Sequence, residues 1–157
     1  MTDLKTLLDG IVINKAFAPE FDTKGKLLAT HCNGALRAAA HGMGCNEFDD
    51  LNLLMDDMIA IARKNASGRW SIVDGARAAI HALDGKFGFG GKTSAELNDK
   101  HGHGATIYPL GMQRSGSLGK DVPMCANLGG DPKTCGVVKI SQAFPVSKGE
   151  PAYFIWI

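Results

Sequence analysis

The sequence has no excess of either charge: 17 Lys and Arg stand against 16 Asp and Glu, a formal net charge of +1 over 157 residues. That balance argues against nucleic acid as a partner, because a phosphate-tracking face needs clustered Lys and Arg. Long hydrophobic runs are also missing. Gly10-Ile11-Val12-Ile13 is far too short to span a bilayer, so no membrane insertion is expected, and no charged start followed by an apolar stretch marks a secretory signal. The expectation is a chain synthesised in the cytoplasm; export and lysis routes that need no such signal stay open to it. The four cysteines, Cys32, Cys45, Cys125 and Cys135, form no CxxC pair and have no zinc-ribbon spacing, which argues against a structural zinc.

What is present is a globular composition, 45% hydrophobic, in a chain long enough to bury a core without metals or disulfides, and residues 1–157 are expected to form a single domain. Cys125 and Cys135 bracket a loop containing Gly129, Gly130, Asp131 and Pro132. That spacing leaves two readings open, a disulfide or two reduced thiols, decided by the compartment in which the protein works.

Leu4, Leu7 and Leu8 give a short helical pattern closed by Gly10. A second helix is expected near 31–42, where Thr30 serves as N-cap and Ala35, Leu36, Ala38, Ala39 and Ala40 favour helix. Leu51, Leu54, Met55, Met58, Ile59 and Ala62 make one apolar helical face over 49–64, and Ala76, Ala79, Ile80 and Leu83 another over 73–83. After Gly85 helical periodicity gives way to strand candidates at 86–90, 104–109, 122–128, 136–140 and 152–156. Helices first and strands afterwards predict an α+β domain, its N-terminal helices packed on a largely antiparallel sheet.

Two motifs invite chemistry and then lose it. Gly90-Gly91-Lys92-Thr93-Ser94 looks like a phosphate loop, but the position five before Gly91 is Lys86 rather than glycine, and no room is expected for the following helix. His101 and His103, read as lying on one strand, could share a metal. No HExxH-type helix supplies the remaining ligands, so no metal is expected.

The constellation that survives begins at Cys32. A cysteine in the first turn of a helix meets unpaired N–H groups and the positive dipole end, which lower its pKa toward neutral attack; the bland reading is a small buried thiol. His103 opens a strand later in the chain, flanked by Gly102 and Gly104, and an imidazole there could take the thiol proton and return it to a leaving amine. Asn127 is the polar residue best placed to orient the ring, against the alternative of a turn asparagine before Leu128-Gly129-Gly130; Gln113 and Ser115 are weaker candidates.

On these residues the chain resembles the papain-like NlpC/P60 and CHAP group of cysteine peptidoglycan amidases, from about residue 30 to the end. Thr30-His31-Cys32-Asn33 and its small-residue helix look like the nucleophile segment. Asp74-Gly75-Ala76-Arg77-Ala78-Ala79 resembles the helix before the first strand, and Gly102-His103-Gly104-Ala105-Thr106-Ile107 the Gly-His-strand motif. Pro123-Met124-Cys125 and the compact size are most similar to small type VI secreted amidase effectors. Gly104 departs from the pattern, standing where a bulkier apolar residue commonly follows the histidine.

The resemblance implies a papain-like fold and hydrolysis of an amide in the peptidoglycan peptide stem, with the bond from D-glutamate to diaminopimelate as the expected target. Cys32 would form a thioester, His103 would carry the proton, and Asn127 would fix the ring, with no metal or organic cofactor. It further implies action at the cell wall in the periplasm and a cognate immunity protein as a possible partner. A phage endolysin or virion-associated lysin of the same chemistry, a non-catalytic peptidoglycan-binding module, and an amidase or acyltransferase acting on another substrate are the alternatives.

Overall fold

The structure is a computed structural model that describes residues 2–157. Helix α1 (Leu4–Ile13) is capped by Asp3, whose carboxylate accepts from the Thr6 N–H at 3.0 Å. It buries Leu4, Leu8 and Ile11, a spacing that puts all three on one face. Gly10 lies inside this helix rather than closing it, because Leu8 and Ile11 on either side are held in the core. The Tyr108 hydroxyl donates to Asp9 at 2.5 Å, tying α1 to the sheet.

A hairpin, β1 (Glu20–Phe21) and β2 (Leu27–Ala29), follows, turned by Asp22, whose side chain accepts from the N–H groups of Lys24 and Lys26. Helix α2 (Cys32–Gly42) buries Cys32, Ala35, Leu36, Ala39 and Ala40. Helix α3 (Met55–Lys64) buries Met55, Met58, Ile59 and Ala62 as its apolar spacing predicts. It begins later than expected, at the point where Asp57 accepts from the Leu54 N–H, so Leu51 and Leu54 are left exposed ahead of it.

The chain then forms β3 (Trp70–Val73), α4 (Gly75–Leu83), β4 (Gly88–Lys92), a four-residue helix α5 (Ser94–Leu97), β5 (His103–Ser115), β6 (Lys120–Asn127), β7 (Gly136–Lys139), a four-residue helix α6 (Ile140–Ala143) and β8 (Ala152–Trp156). Helix α4 turns a different face inward from the one expected. Ala78, Ala79, His81 and Ala82 are buried while Ile80 and Leu83 are exposed, because His81 Nε2 reaches the Trp156 carbonyl at 3.0 Å and carries that face to the sheet.

The six-stranded sheet is antiparallel throughout, in the order β3-β8-β4-β5-β6-β7. The α+β expectation holds in this form. Glycines in β4 allow elements to approach closely: a Cβ on Gly91 would meet Ile59 of α3, and one on Gly90 would meet Pro151 and Ile140 on the other face. Phe48, Trp70, Phe87, Phe89 and Phe154 form an aromatic cluster, with Phe89 stacked on Phe154 at 4.9 Å and Phe48 on Trp70 at 5.3 Å. Each fully buried phenylalanine contributes roughly 1.5–3 kcal/mol relative to exposure.

Gly88–Lys92 is buried strand, in keeping with the rejected phosphate loop, while the short helix α5 corrects the expectation that no helix would follow it. His101 precedes β5 instead of sharing the strand with His103. Cys125 and Cys135 are both free thiols. Asn127 pairs with Gly136, which sets Cys135 about three residues along the ladder from Cys125, ~10 Å away and beyond disulfide reach. Among the described residues no helix is long and apolar enough to cross a membrane.

Candidate functional site

Cys32 is the first residue of α2, and the residue before it does not cap the helix in the usual way. His31 holds the N-cap position without a side-chain bond to the helix, and its Nε2 pairs instead with Glu20 Oε2 of the hairpin at 3.0 Å. Thr30, the expected cap, turns its hydroxyl toward the thiol. Cys32 is 7% exposed and its thiol donates to Asn33 Oδ1 at 3.5 Å.

Burial raises the Cys32 pKa above its ordinary 9.0, outweighing the N–H groups of Asn33 and Gly104 and the Thr30 hydroxyl, which act to lower it. The expectation of a thiol poised near neutrality is therefore corrected. A helix N-terminus favours a thiolate, but taking the sulfur out of water costs more here.

The Gly104 N–H beside the sulfur belongs to the residue after His103, so the start of β5 brings imidazole and thiol into one groove. The His103 ring packs against Phe144 with centroids 5.0 Å apart. Its Nε2 donates to Asn127 Oδ1 at 2.7 Å. Asn127, 1% exposed on β6, donates through Nδ2 to the Thr134 carbonyl at 2.8 Å.

A carbonyl can only accept, so the Thr134 contact fixes which end of the Asn127 amide is NH₂ and leaves Oδ1 for the ring. Nε2 must then carry the proton, and the network assigns His103 the tautomer whose Nδ1 lone pair is free to act as base. Burial lowers the His103 pKa below its ordinary 6.5, and the Asn127 bond offsets part of that shift. Burial thus favours the neutral form of both groups.

Of the sequence candidates, the fold brings Cys32, His103 and Asn127 together and leaves Gln113 and Ser115 elsewhere. Gln113 pairs with Val122 along β6, and the Ser115 hydroxyl bonds Ser141 at 2.9 Å. His101 is exposed on the rim. Cys45 is fully buried, its pKa pushed up to about 11 by burial, and it takes no part in the groove. Among the described residues no three His, Cys, Asp or Glu side chains converge as metal ligands.

The groove has two arms that share Leu27, Thr30, Cys32, His101 and Gly102. One, of about 560 Å³, is walled by Leu28, Leu54 and Met55, with Lys100 at its edge. The other, of about 600 Å³, holds His103, Asn127, Phe144, Asp99 and Asp131. The arrangement can seat an extended chain across the thiol and supply a base, a ring-orienting amide and helix N–H donors.

Sequence reasoning missed the hairpin wall, Phe144 and Thr134. Asp22 followed by Gly25, which has φ +79°, is a turn signal that could have revealed the hairpin. Thr134 acts through its backbone carbonyl, for which side-chain identity carries no signal. No protein-family model and no curated protein sequence matches this chain.

Proposed function

We propose that this protein is a cysteine amidase that hydrolyses an amide bond in the peptide stem of peptidoglycan, and that its fold is of the papain-like NlpC/P60 kind. The observation that carries the reading is the oriented imidazole in the groove that Cys32 also lines: Asn127 holds His103 Nε2 at 2.7 Å, which leaves Nδ1 without a protein partner. The two-armed groove, with Cys32 lining both arms, suits an extended stem peptide.

In the proposed reaction the thiol exchanges its bond to Asn33 for His103 Nδ1 and gives up its proton there as Sγ attacks the carbonyl carbon. The oxyanion forms beside the Cys32 N–H, which has no intrahelical acceptor at this first helical position. The C–N bond then breaks, His103 returns the proton to the leaving amine, and a thioester remains on Cys32. Water, deprotonated by His103, adds to the thioester, and collapse releases the acid and restores the thiol. No metal or organic cofactor enters these steps.

The bond from D-glutamate to diaminopimelate is the proposed target. The biological role is that of a secreted antibacterial effector acting on the periplasmic face of the wall, with an immunity protein as its counterpart in the producing cell. Digestion of purified sacculi followed by mass spectrometry of the new termini tests this. A free D-glutamyl α- or γ-carboxylate paired with a new diaminopimelate amine is expected, and intact stems after exposure to reduced, folded protein would overturn it.

A non-catalytic peptidoglycan-binding module is the second reading, favoured by the burial of Cys32 and by its thiol bonding Asn33 instead of the imidazole. It predicts co-sedimentation with sacculi and no new termini.

A further inference from the structure

Behind Asn127 lies a loop whose hydrogen bonds form an unbroken series. The Cys135 thiol reaches the Gly129 and Asp131 carbonyls, each at 3.4 Å. The Asp131 carbonyl also accepts from the Thr134 N–H at 3.1 Å and from the Thr134 hydroxyl at 3.2 Å. Asp131 Oδ1 takes the Lys133 N–H at 2.9 Å, and Pro132 sets the first position of the short 3-10 turn. The output of this turn is the Thr134 carbonyl, which receives Asn127 Nδ2 at 2.8 Å, and Asn127 Oδ1 in turn receives His103 Nε2 at 2.7 Å.

We propose that the Gly129–Cys135 loop is a positioning element of the site, in which Thr134 and Cys135 lock the Asn127 amide and, through it, the His103 ring. The inference rests on the thiol–imidazole chemistry proposed above, and it assigns roles to residues that never meet the reacting atoms. An asparagine amide can rotate through half a turn with little change of shape. Only the carbonyl at Nδ2 distinguishes the productive orientation, with Oδ1 on the ring, from the reversed one, in which an NH₂ group would oppose Nε2–H. A carbonyl on a mobile loop would hold that choice weakly; the Asp131 carbonyl, taken by three donors, fixes the turn that presents it. Gly129 lies next to the ring, where a Cβ would be 3.4 Å from His103 Cε1, an ordinary contact.

The titratable groups around the ring are Cys32 from α2, Asp99 and His101 before β5, and Asp131 after β6, with Lys92 paired to His103 along β4. Substitutions at Thr134 and Cys135 alter none of these charges, so they report on orientation alone.

The test uses the full chain with Thr134→Val and Cys135→Val, which remove the donors at similar volume, and Thr134→Ser and Cys135→Ser, which retain them. The His103 titration is followed by NMR of the imidazole, and kcat and KM are measured on purified muropeptides. Each valine variant is expected to titrate His103 at lower pH and to lose about three- to tenfold in kcat with KM little changed, the scale of one neutral hydrogen bond. The serine variants are expected to stay near wild type. In an Asn127→Ala background the valine substitutions are expected to add nothing, because the residue through which they act is gone.

Valine variants that leave the His103 titration unchanged, or whose effect persists in full without Asn127, overturn the proposal. The titration is read without turnover. A wild-type chain that cleaves no peptidoglycan therefore overturns the functional reading and leaves this one decided by NMR.

Discussion

Gly104 leaves no space for a side chain against Met55: a Cβ at this position would come within 2.5 Å of Met55 Sδ, with Leu36 of α2 at 3.3 Å beyond it. The residue that departs from the resembled motif is thus the one over which the Met55 side chain of α3 packs, with Leu36 of the Cys32 helix next to it. A bulkier residue there would need a smaller partner on α3.

Gly104→Val is accordingly expected to destabilise the fold by about 1–3 kcal/mol, the usual cost of overpacking a well-filled core. It should also separate the thiol from the β5 backbone. Denaturant melts check the first effect. Combining the change with Met55→Ala, which vacates the contested space, is expected to recover part of the loss, and no recovery would place the strain elsewhere.

Much of this relationship is legible in the sequence and part of it is not. The apolar stripe of α3, the glycine-flanked histidine and the small-residue helix after Cys32 are local patterns, and each reappears as the expected element. Misses arise where tertiary contacts decide. Helix α4 buries alanines and His81 because the sheet offers a carbonyl to that face, so Ile80 and Leu83 stay outside despite their hydrophobicity. The Cys32 pKa shift goes the opposite way from a helix-terminus argument, since Cys32 is enclosed with Leu8 and Ile11 of α1, Gly104 and Thr106 of β5 and Ala126 of β6, none of which α2 encodes. Asn127 was identifiable as polar and nearby, but its orientation comes from a backbone carbonyl.

Neutral thiol with neutral imidazole has a kinetic signature. Because the Cys32 pKa stands above 9.0 and that of His103 below 6.5, iodoacetamide alkylation of Cys32 is expected to climb as pH rises past neutrality, with no plateau between pH 6 and 8. His103→Ala should leave that profile nearly unchanged. Hydrolysis should behave differently: Cys32→Ala and His103→Ala are each expected to lose at least about a thousandfold in kcat, while His101→Ala stays within about threefold of wild type. A neutral-pH plateau that disappears in His103→Ala would instead reveal a resting ion pair.

Stability should fall with acid, and two histidines set the window. Burial lowers the folded-state pKa of both His81 and His103 below the ordinary 6.5 of the unfolded chain. The unfolded state therefore binds protons first as pH drops, so the stability present above pH 6.5 is lost on descent through the lower folded values. Thermal melts from pH 7.5 down to 4.5 are expected to show this decline, and His81→Gln, which removes one of the two protons taken up, should flatten it. A melting temperature that is level across pH 6.5 to 5 would contradict the burial of neutral imidazoles.

Oxidation should leave the fold unchanged. Cys125 is fully buried in β6 opposite Val138, whereas Cys135 stands at the foot of β7 with its proton shared between two loop carbonyls. A disulfide would have to cross ~10 Å of ladder, more than its geometry allows without breaking the β6–β7 pairing that carries Asn127. Burial also raises the pKa of both thiols, which keeps them protonated and slow to exchange. Protein refolded in oxidising buffer is therefore expected to melt at the same temperature as reduced protein, and Cys135→Ser should create no redox-dependent difference. Non-reducing peptide mapping provides the direct check. A Cys125–Cys135 peptide pair would require β6 and β7 to slide in register, carrying Asn127 away from His103, and should come with loss of hydrolysis.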